Sequence, residues 1–325
     1  MTKHSPLKAE SLLERAAEIY DFGAALRRSP DPAPPSEVKA DPALQSGIEP
    51  AIHEVSTPAT THSTGPVHEP APRLAVRRPI TGGGIVGVDR ERLREGGFIV
   101  PEAPVGSLAE EFRIVKRQLL ASIKAQSHLP EEKKRSILVC SAQTGEGKTF
   151  CAINLALSLA AEPDLDVLLV DGDFNKPEIF PTLGLEPGPG LIDAIGSETA
   201  DVERFVVRTD IEGLSLLPAG RAANNVTELL GSDRTRQVLG DLVRDHPRRL
   251  VLFDSPPALM ASPASVLAAH VGQLLIVVRA DQTTDSDLRE ALGILSACDT
   301  VSLMLNAEAF AAGGRRYGNY YGYGQ

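Results

Sequence analysis

Short, almost wholly apolar runs recur along the chain from residue 136 onward. They lie at residues 137–140, 167–170, 214–217, 250–253, 274–278 and 301–305, and helical patterns separate them. A run without polar alternation is typical of a strand that is covered on both faces. Strands that alternate with helices usually form a mostly parallel sheet. The pattern therefore predicts an α/β fold in which helices cover both faces of a mostly parallel sheet.

A longer amphipathic helix is predicted before the first of these strands. Ser107 and Glu110 have the spacing of a capping box at its start. Glu110, Arg113 and Arg117 share one face, which forms either a solvated surface or half of a subunit contact. The apolar stripe, which we expect to pack on the core, consists of Leu108, Phe112, Val115, Leu119 and Ile123.

The first 88 residues differ in composition from the rest of the chain. Residues 11–28 predict a short amphipathic helix that begins with a capping box, Ser11 with Glu14. This helix either docks on a partner or forms transiently without a role, and the sequence leaves both possibilities open. Between Pro30 and Pro79 lie eleven of the 25 prolines and no aromatic residue, too little apolar surface to offset chain entropy. We predict an N-terminal helical region over 1–28, a disordered Pro-rich linker over 29–88, a P-loop domain over 89–312 and a flexible tail over 313–325.

Charge and composition exclude several classes of protein. The formal net charge of −10 argues against a general nucleic-acid-binding protein, because such binding needs clustered Lys and Arg side chains. The apolar runs are far shorter than the roughly 20 residues that cross a bilayer, and the N-terminus lacks a secretory apolar core. We therefore expect a cytosolic protein. The three cysteines and seven histidines show no metal-ligand spacing, so we expect no metal site built from histidine. We expect the cysteines to be reduced and packed as small apolar groups.

The segment after the first predicted strand has the spacing of a P-loop. Residues 141–149 have the sequence Ser-Ala-Gln-Thr-Gly-Glu-Gly-Lys-Thr, and a helix is predicted over 150–161. Glycines in such a loop let backbone N–H groups and the helix N-terminus face one phosphate. The pattern predicts that Lys148 reaches the β- and γ-phosphates and that the Thr149 hydroxyl ligates Mg²⁺. ATP and Mg²⁺ are the expected cofactors, and the predicted nucleotide-binding residues are Thr144, Gly145, Glu146, Gly147, Lys148, Thr149 and Phe150.

Three aspartates stand at the ends of two later strands. Asp171 and Asp173 follow the run at 167–170, and Asp254 follows the run at 250–253. Sites in α/β proteins form at the carboxyl ends of parallel strands. Either of the first two acids can hold Mg²⁺ or accept the proton of an attacking hydroxyl, while Asp254 has the position of a Walker B aspartate. The predicted catalytic residues are Lys148, Asp171, Asp173 and Asp254, and the predicted metal ligands are Thr149, Asp173 and Asp254.

Four of the five tyrosines lie in the last nine residues of the chain. Tyr317, Tyr320, Tyr321 and Tyr323 stand among glycines and an asparagine, a composition that cannot build a core. Aromatic residues on a flexible tip suit a stacking surface, a set of phosphate acceptors or a nonspecific adhesive tail. With a P-loop on the same chain, we favour phosphate acceptors.

Together these motifs resemble the bacterial tyrosine kinase (BY-kinase) family of capsule and exopolysaccharide export, and most closely its branch linked to the exosortase XrtA. Residues 145–149 resemble the family's Walker A core, residues 171–173 with Lys176-Pro177 its Walker A′ motif, and residues 254–257 its Walker B motif. The tail is similar to the tyrosine cluster that the family autophosphorylates. The resemblance implies an ATP-dependent protein-tyrosine kinase that regulates exopolysaccharide biosynthesis by phosphorylating its own tail.

The resemblance also implies partners. The family's oligomer motif has Glu and two Arg at three-residue steps; here Glu110 and Arg113 fit it, and Lys116 occupies the third position. This implies a homo-oligomer through the helix, a membrane-bound polysaccharide chain-length (co-polymerase) protein as activator, and an opposing phosphotyrosine phosphatase. The expected location is cytoplasmic, peripheral to the inner membrane through that activator.

Two other functions stay open. ParA/MinD-like partition and septum-positioning ATPases share this fold, but they have an additional lysine early in the P-loop, where this chain has Gln143. Such an ATPase switch would release phosphate and leave the tail unmodified. A non-catalytic scaffold of the export machinery would bind Mg-ATP without turnover.

Overall fold

The structure, a computed structural model, describes residues 84–221 and 225–307. The predicted helix at 11–28, most of the predicted linker and the tyrosine tail lie outside the described residues. Residues 85–86, which the composition assigns to the linker, form a short strand of the sheet. The remaining domain boundaries stay predictions.

Eight strands form one sheet in the described part of the chain. They are β1 (Ile85–Val86), β2 (Ser136–Ser141), β3 (Asp166–Asp171), β4 (Val207–Thr209), β5 (Leu214–Leu217), β6 (Arg249–Asp254), β7 (Gln273–Arg279) and β8 (Val301–Asn306). Their spatial order is β1-β4-β5-β3-β6-β2-β7-β8. Every neighbouring pair is parallel except β4 with β5. The mostly parallel sheet is therefore confirmed.

Helices connect these strands. They are α1 (Arg90–Glu95), α2 (Ser107–Ala125), α3 (Glu131–Lys134), α4 (Lys148–Ala160), α5 (Ile179–Thr182), α6 (Leu191–Ile195), α7 (Val226–Leu230), α8 (Asp233–Arg244), α9 (Pro263–Ala268) and α10 (Asp285–Ile294), with a 3-10 turn at Val202–Phe205. Over residues 84–221 and 225–307, none of the helices is both long enough and apolar enough to cross a membrane. Helix α4 follows β2 through the predicted P-loop and begins two residues before the predicted start.

The central strands send alternate side chains into two hydrophobic cores, one on each face of the sheet. On β2, Ile137 and Val139 enter one core, while Leu138 and Cys140 enter the other. Helices α2 and α4 contribute to the first core, and α8 and α9 contribute to the second. Both faces of the central strands are thus covered, as their unbroken apolar sequences predict.

The edge strand β8 departs from this pattern. Its side chains alternate between partly buried and exposed, and Val301, Leu303 and Leu305 are 38%, 57% and 55% exposed. The prediction that both faces of this strand are covered is therefore wrong. An edge strand has a neighbour on one side, and β8 lies at the end of the sheet beyond β7, so the covering layer screens it less completely.

Helix α2 turns its predicted apolar stripe toward the first core. Phe112 and Leu119 are 1% exposed, and Leu108 and Val115 are packed against the same core. The predicted capping box is wrong, because the N-cap is Gly106 and no side chain caps the helix. Ser107 already belongs to the first turn, and Glu110 instead accepts a hydrogen bond from Arg113 at 2.5 Å.

Lys116 does not extend the charged face of α2. Its side chain is 7% exposed, and its Nζ donates to the Ser158 carbonyl at 2.8 Å and pairs with Glu162 at 2.5 Å. Both partners belong to α4 or its C-terminal end, so Lys116 ties the two helices together. Glu110, Arg113 and Arg117 line one surface hollow, as their spacing predicts.

We predict that Phe112→Ala lowers the free energy of unfolding by about 3 to 5 kcal/mol, because it removes a buried aromatic ring and leaves a cavity. Urea denaturation followed by circular dichroism measures the change. Ile114→Ala on the same helix is the matched control, since Ile114 is 47% exposed. Its expected loss is about 0.5 kcal/mol or less. Equal losses in the two variants would contradict the packing of α2.

Candidate nucleotide-binding site

The loop between β2 and α4 has the backbone shape that phosphate binding requires. Gly145 has φ 78° and Gly147 has φ 90°, both in the left-handed region that glycine adopts without strain. Gly147 is the N-cap of α4, and no side chain satisfies the helix N-terminus there. The free N–H groups and the positive end of the helix dipole therefore remain available to an anion.

An ion pair and a hydrogen bond connect the P-loop to the strand-end acids. Lys148 Nζ lies 3.0 Å from Asp173 Oδ2, and both side chains are almost buried. The Thr149 hydroxyl donates to Asp254 Oδ2 at 2.6 Å. The lysine, the threonine and two of the predicted acids thus meet at the carboxyl edge of the sheet.

Asp171 lies beside this cluster but faces inward. It pairs in register with Asp254 across β3 and β6, and it is fully buried. Its Oδ2 accepts the N–H of Ile179 at 3.2 Å, and its Oδ1 accepts the N–H of Asp173 at 3.4 Å. Asp173, rather than Asp171, is the Walker A′ acid that contacts Lys148.

Burial dominates the protonation of these acids. Desolvation, reinforced by the charge of Asp254, raises the pKa of Asp171 to about 8. Desolvation also raises the pKa of Asp254 to about 7, although Lys148 opposes that shift. Burial opposes the charge of Lys148, but Asp254 and Asp173 outweigh it and raise the lysine pKa. One lysine therefore faces a surplus of carboxyl groups, an arrangement that favours uptake of a further cation.

The donor set of Thr149 and Asp254 fits Mg²⁺. Asp254 Oδ1 is buried and accepts no hydrogen bond within the described part of the chain. Mg²⁺ is typically held by one or two protein oxygens and completes its octahedron with phosphate and water. The His, Cys, Asp and Glu side chains of residues 84–221 and 225–307 form no group of three suited to hold a metal alone.

Two of the predicted nucleotide-binding residues have side chains that are engaged with other parts of the protein. Phe150 packs its ring on Phe98, with centroids 4.9 Å apart. The carboxylate of Glu146 is buried, where it accepts the Gln143 N–H at 2.7 Å and the Thr283 hydroxyl. Both residues can therefore contact a nucleotide through their backbone N–H groups only.

Three polar residues beside the P-loop are missing from the sequence prediction. Arg279, Gln282 and Asn306 donate side-chain hydrogen bonds to P-loop carbonyl groups. Arg279 and Asn306 directly follow the predicted strands at 274–278 and 301–305. Polar residues at the carboxyl ends of parallel strands are candidates by the same rule that identified the aspartates, and that signal was present.

The cysteines are free and buried, as predicted. Burial raises the pKa of Cys140 to about 11 and that of Cys151 to about 12, and it also raises that of Cys298. Since the thiolate is the reactive form, the rise in the pKa of Cys140 alone lowers the reactivity of that thiol at pH 8 about a hundredfold.

We expect iodoacetamide to leave the native protein unmodified and to modify all three thiols in denaturant. Mass spectrometry counts the adducts, and rapid alkylation of native protein would show that the thiols are accessible.

The sheet, the glycine loop and the strand-end aspartates define a P-loop NTPase fold. The kinase domain of the Escherichia coli tyrosine kinase ETK has this fold, with a TM-score of 0.56 and 23% sequence identity over 72% of this chain and 99% of that chain. The fold class predicted from the sequence is confirmed.

Sequence comparison extends the likeness to bacterial tyrosine kinases. "Putative tyrosine-protein kinase EpsB" of Ralstonia nicotianae is 30% identical over 204 residues, which cover 59% of this chain and 27% of that protein. "Tyrosine-protein kinase YwqD" of Bacillus subtilis is 27% identical over 191 residues, covering 58% of this chain and 76% of that protein. The resemblance to this group of kinases is confirmed, while the XrtA-linked branch stays a prediction. No protein-family model matches the chain.

Proposed function

We propose that the protein is an ATP-dependent tyrosine autokinase that phosphorylates its own C-terminal tyrosines and thereby regulates exopolysaccharide biosynthesis and export. The observation that carries the proposal is the pair of contacts Lys148–Asp173 and Thr149–Asp254 at a P-loop, in a chain that ends in a tyrosine cluster. The relatives named as tyrosine kinases support it. The matched region spans only about a quarter of the length of EpsB.

In this proposal the P-loop holds the triphosphate of ATP. The loop N–H groups donate to phosphate oxygens, and Lys148 exchanges Asp173 for the terminal phosphate. Thr149, Asp254 and Asp173 are the residues that would hold Mg²⁺. When bound, the ion neutralises charge on the phosphate oxygens.

The strand-end acids also provide a proton acceptor. The tyrosine oxygen attacks the γ-phosphorus, the bond to the bridging oxygen of ADP breaks, and the phenolic proton passes to a carboxylate. Asp171 is the proposed acceptor, because its raised pKa of about 8 makes its carboxylate a stronger base than that of an ordinary aspartate. Only the ionised form can accept a proton, so the role requires Asp171 to be deprotonated when the tyrosine binds. The role requires its carboxylate to leave the N–H groups of Ile179 and Asp173.

At Asn306, a few residues before the tyrosine tail in the sequence, the chain lies beside the P-loop. Asn306, the last residue of β8, donates to the Glu146 carbonyl in the P-loop at 2.9 Å. Tyr317 follows eleven residues later. Eleven extended residues span at most about 36 to 40 Å, so the tail can enter the site of its own chain or that of an adjacent copy.

Assembly and partners belong to the same proposal. Glu110, Arg113 and Arg117 form the proposed face for homo-oligomer contacts, and exposed Ile114 lies beside them. A membrane-bound co-polymerase protein would activate the kinase and hold it at the inner membrane, and a phosphotyrosine phosphatase would reverse the reaction. Each phosphate adds about −1.5 to −2 charges at pH 7, so a phosphorylated tail would repel its neighbours and loosen the oligomer.

Mass spectrometry of the tail after incubation of the full chain with Mg-ATP tests the proposal. We expect phosphate on Tyr317, Tyr320, Tyr321 and Tyr323, and none on the variant with phenylalanine at these four positions. Free phosphate with an unmodified tail would favour the ATPase switch instead. Binding of Mg-ATP with neither product would favour the non-catalytic scaffold.

A further inference from the structure

Three consecutive carbonyl groups of the P-loop accept hydrogen bonds from one group of side chains. Asn306 Nδ2 donates to the Glu146 carbonyl at 2.9 Å, and Arg279 Nη1 donates to the Gly145 carbonyl at 3.2 Å. A longer contact of 3.5 Å joins Gln282 Nε2 to the Thr144 carbonyl. We call these three donors, Arg279, Gln282 and Asn306, the carbonyl clamp.

The carbonyl clamp has a direct consequence for the N–H groups of the loop. A peptide bond is planar and trans, so the carbonyl of one residue and the N–H of the next point in opposite directions. Holding the carbonyls of residues 144–146 toward the β7–β8 edge therefore turns the N–H groups of residues 145–147 the other way. Successive N–H groups held in this manner form an anion-binding nest.

The clamp residues are themselves held in place. Arg279 and Asn306 are neighbours in the register of β7 and β8, and the Asn306 carbonyl accepts the N–H of Ala280 at 3.2 Å. The Arg279 N–H donates to the Thr283 hydroxyl at 2.8 Å, and that hydroxyl donates in turn to the buried Glu146 carboxylate. The loop and the end of the sheet thus form one hydrogen-bonded unit.

The fit between clamp and loop is close. A β-carbon on Gly147 would lie 2.2 Å from Asn306 Nδ2. Since that distance is below any van der Waals contact, Asn306 can occupy its position only because residue 147 is glycine. The glycine therefore serves the clamp as well as the left-handed turn.

We propose that Arg279 and Asn306 are positioning residues for phosphate recognition, which act by fixing the orientation of the P-loop peptide groups. The inference rests on the proposed nucleotide binding and deepens it. Neither residue needs to contact the ligand. Removing a clamp donor frees a peptide group to rotate, so part of the affinity for phosphate is lost without loss of a direct contact.

Calorimetry with two ligands tests this inference. Asn306→Leu and Arg279→Met are titrated with Mg-ATP and, separately, with Mg-tripolyphosphate, which has the phosphates of ATP but no base or ribose. We expect each variant to bind both ligands about five- to tenfold more weakly than the parent, because each lacks about one hydrogen bond. Arg279→Lys, which keeps a charged donor, is expected to recover part of the affinity.

Arg289→Met is the matched control for charge. Arg289 lies on α10, is half exposed and pairs with Asp285, so its loss removes the same charge without touching the P-loop. Its affinity for both ligands should equal that of the parent. Arg279 is partly exposed, so Arg279→Met tests the inference even where Asn306→Leu lowers the melting temperature.

The possible outcomes distinguish a failure of nucleotide binding from a failure of the carbonyl clamp. If the parent protein binds neither ligand, the proposed function itself is contradicted. A parent that binds both ligands, with clamp variants of unchanged affinity, overturns the carbonyl clamp alone. Weaker binding of Mg-ATP with unchanged binding of tripolyphosphate also overturns it, since the residues would then act on the base or ribose.

Discussion

Methionine in place of Lys148 is expected to lower phosphorylation of the tail by at least about a hundredfold. The lysine side chain is 13% exposed, and its Nζ lies 3.0 Å from Asp173. Methionine keeps an apolar stem of similar length but removes the charge that would face the γ-phosphate as negative charge builds up on the transferring group. Mass spectrometry of the tail at a fixed time after addition of Mg-ATP gives the ratio to the parent.

Arg236→Met is the control for this experiment. Arg236 lies on α8, is 74% exposed and pairs with Asp233, so its replacement removes a positive charge outside the site. We expect it to retain phosphorylation within about threefold of the parent, because an exposed ion pair contributes little. Equal activity of the Lys148 and Arg236 variants would show that the P-loop lysine is not part of the reaction.

Asparagine in place of Asp254 should separate catalysis from stability. Asp254 accepts the Thr149 hydroxyl and has a second oxygen free for a metal ion, so the variant is expected to lose at least about a hundredfold in tail phosphorylation. Raising the Mg²⁺ concentration should restore only part of the phosphorylation, because the variant lacks the negative charge of the Asp254 carboxylate. Phosphotyrosine yields over a series of Mg²⁺ concentrations measure this.

The same variant should not be less stable. Burial raises the pKa of Asp254 from 3.8 to about 7. The folded state therefore binds a proton that the unfolded state releases between these values, and ionisation of Asp254 destabilises the fold increasingly as the pH rises from about 4 to 7. At pH 8 the asparagine variant should melt at or above the temperature of the parent, and this advantage should vanish near pH 4.

Asp299→Asn completes that comparison. Asp299 is exposed and lies just before β8, at the amino-terminal ends of the parallel strands, whereas the P-loop lies at their carboxyl ends. It should change neither phosphorylation nor the melting temperature. Loss of activity in Asp254→Asn together with a large fall in melting temperature would assign the aspartate a structural role instead.

The strands that position the site could be predicted because their sequences carry a strong signal. All six apolar runs form strands, because such runs are typical of strands in a covered sheet, although β8 leaves one face exposed. The strands β1 and β4 contain two and three residues and were not predicted. Pairing with neighbours, rather than local apolar content, makes such short segments strands.

The candidate site was predictable in its loop and its acids but not in its surroundings. The glycine spacing identified the P-loop, and the strand-end rule identified the three aspartates. The buried carboxylate of Glu146 depends in part on a hydrogen bond from Thr283, which is 137 residues away along the chain. The inward turn of Asp171 depends on N–H groups of the loop that follows it, at Asp173 and Ile179. Apolar runs and glycine spacing encode neither arrangement.

Isothermal titration calorimetry of the full chain with ATP, in the presence and absence of Mg²⁺, measures nucleotide binding itself. If the P-loop and the strand-end aspartates form one triphosphate site, one ATP should bind per chain, and removal of Mg²⁺ should weaken binding at least about tenfold. The absence of saturable binding at millimolar Mg-ATP would contradict the account.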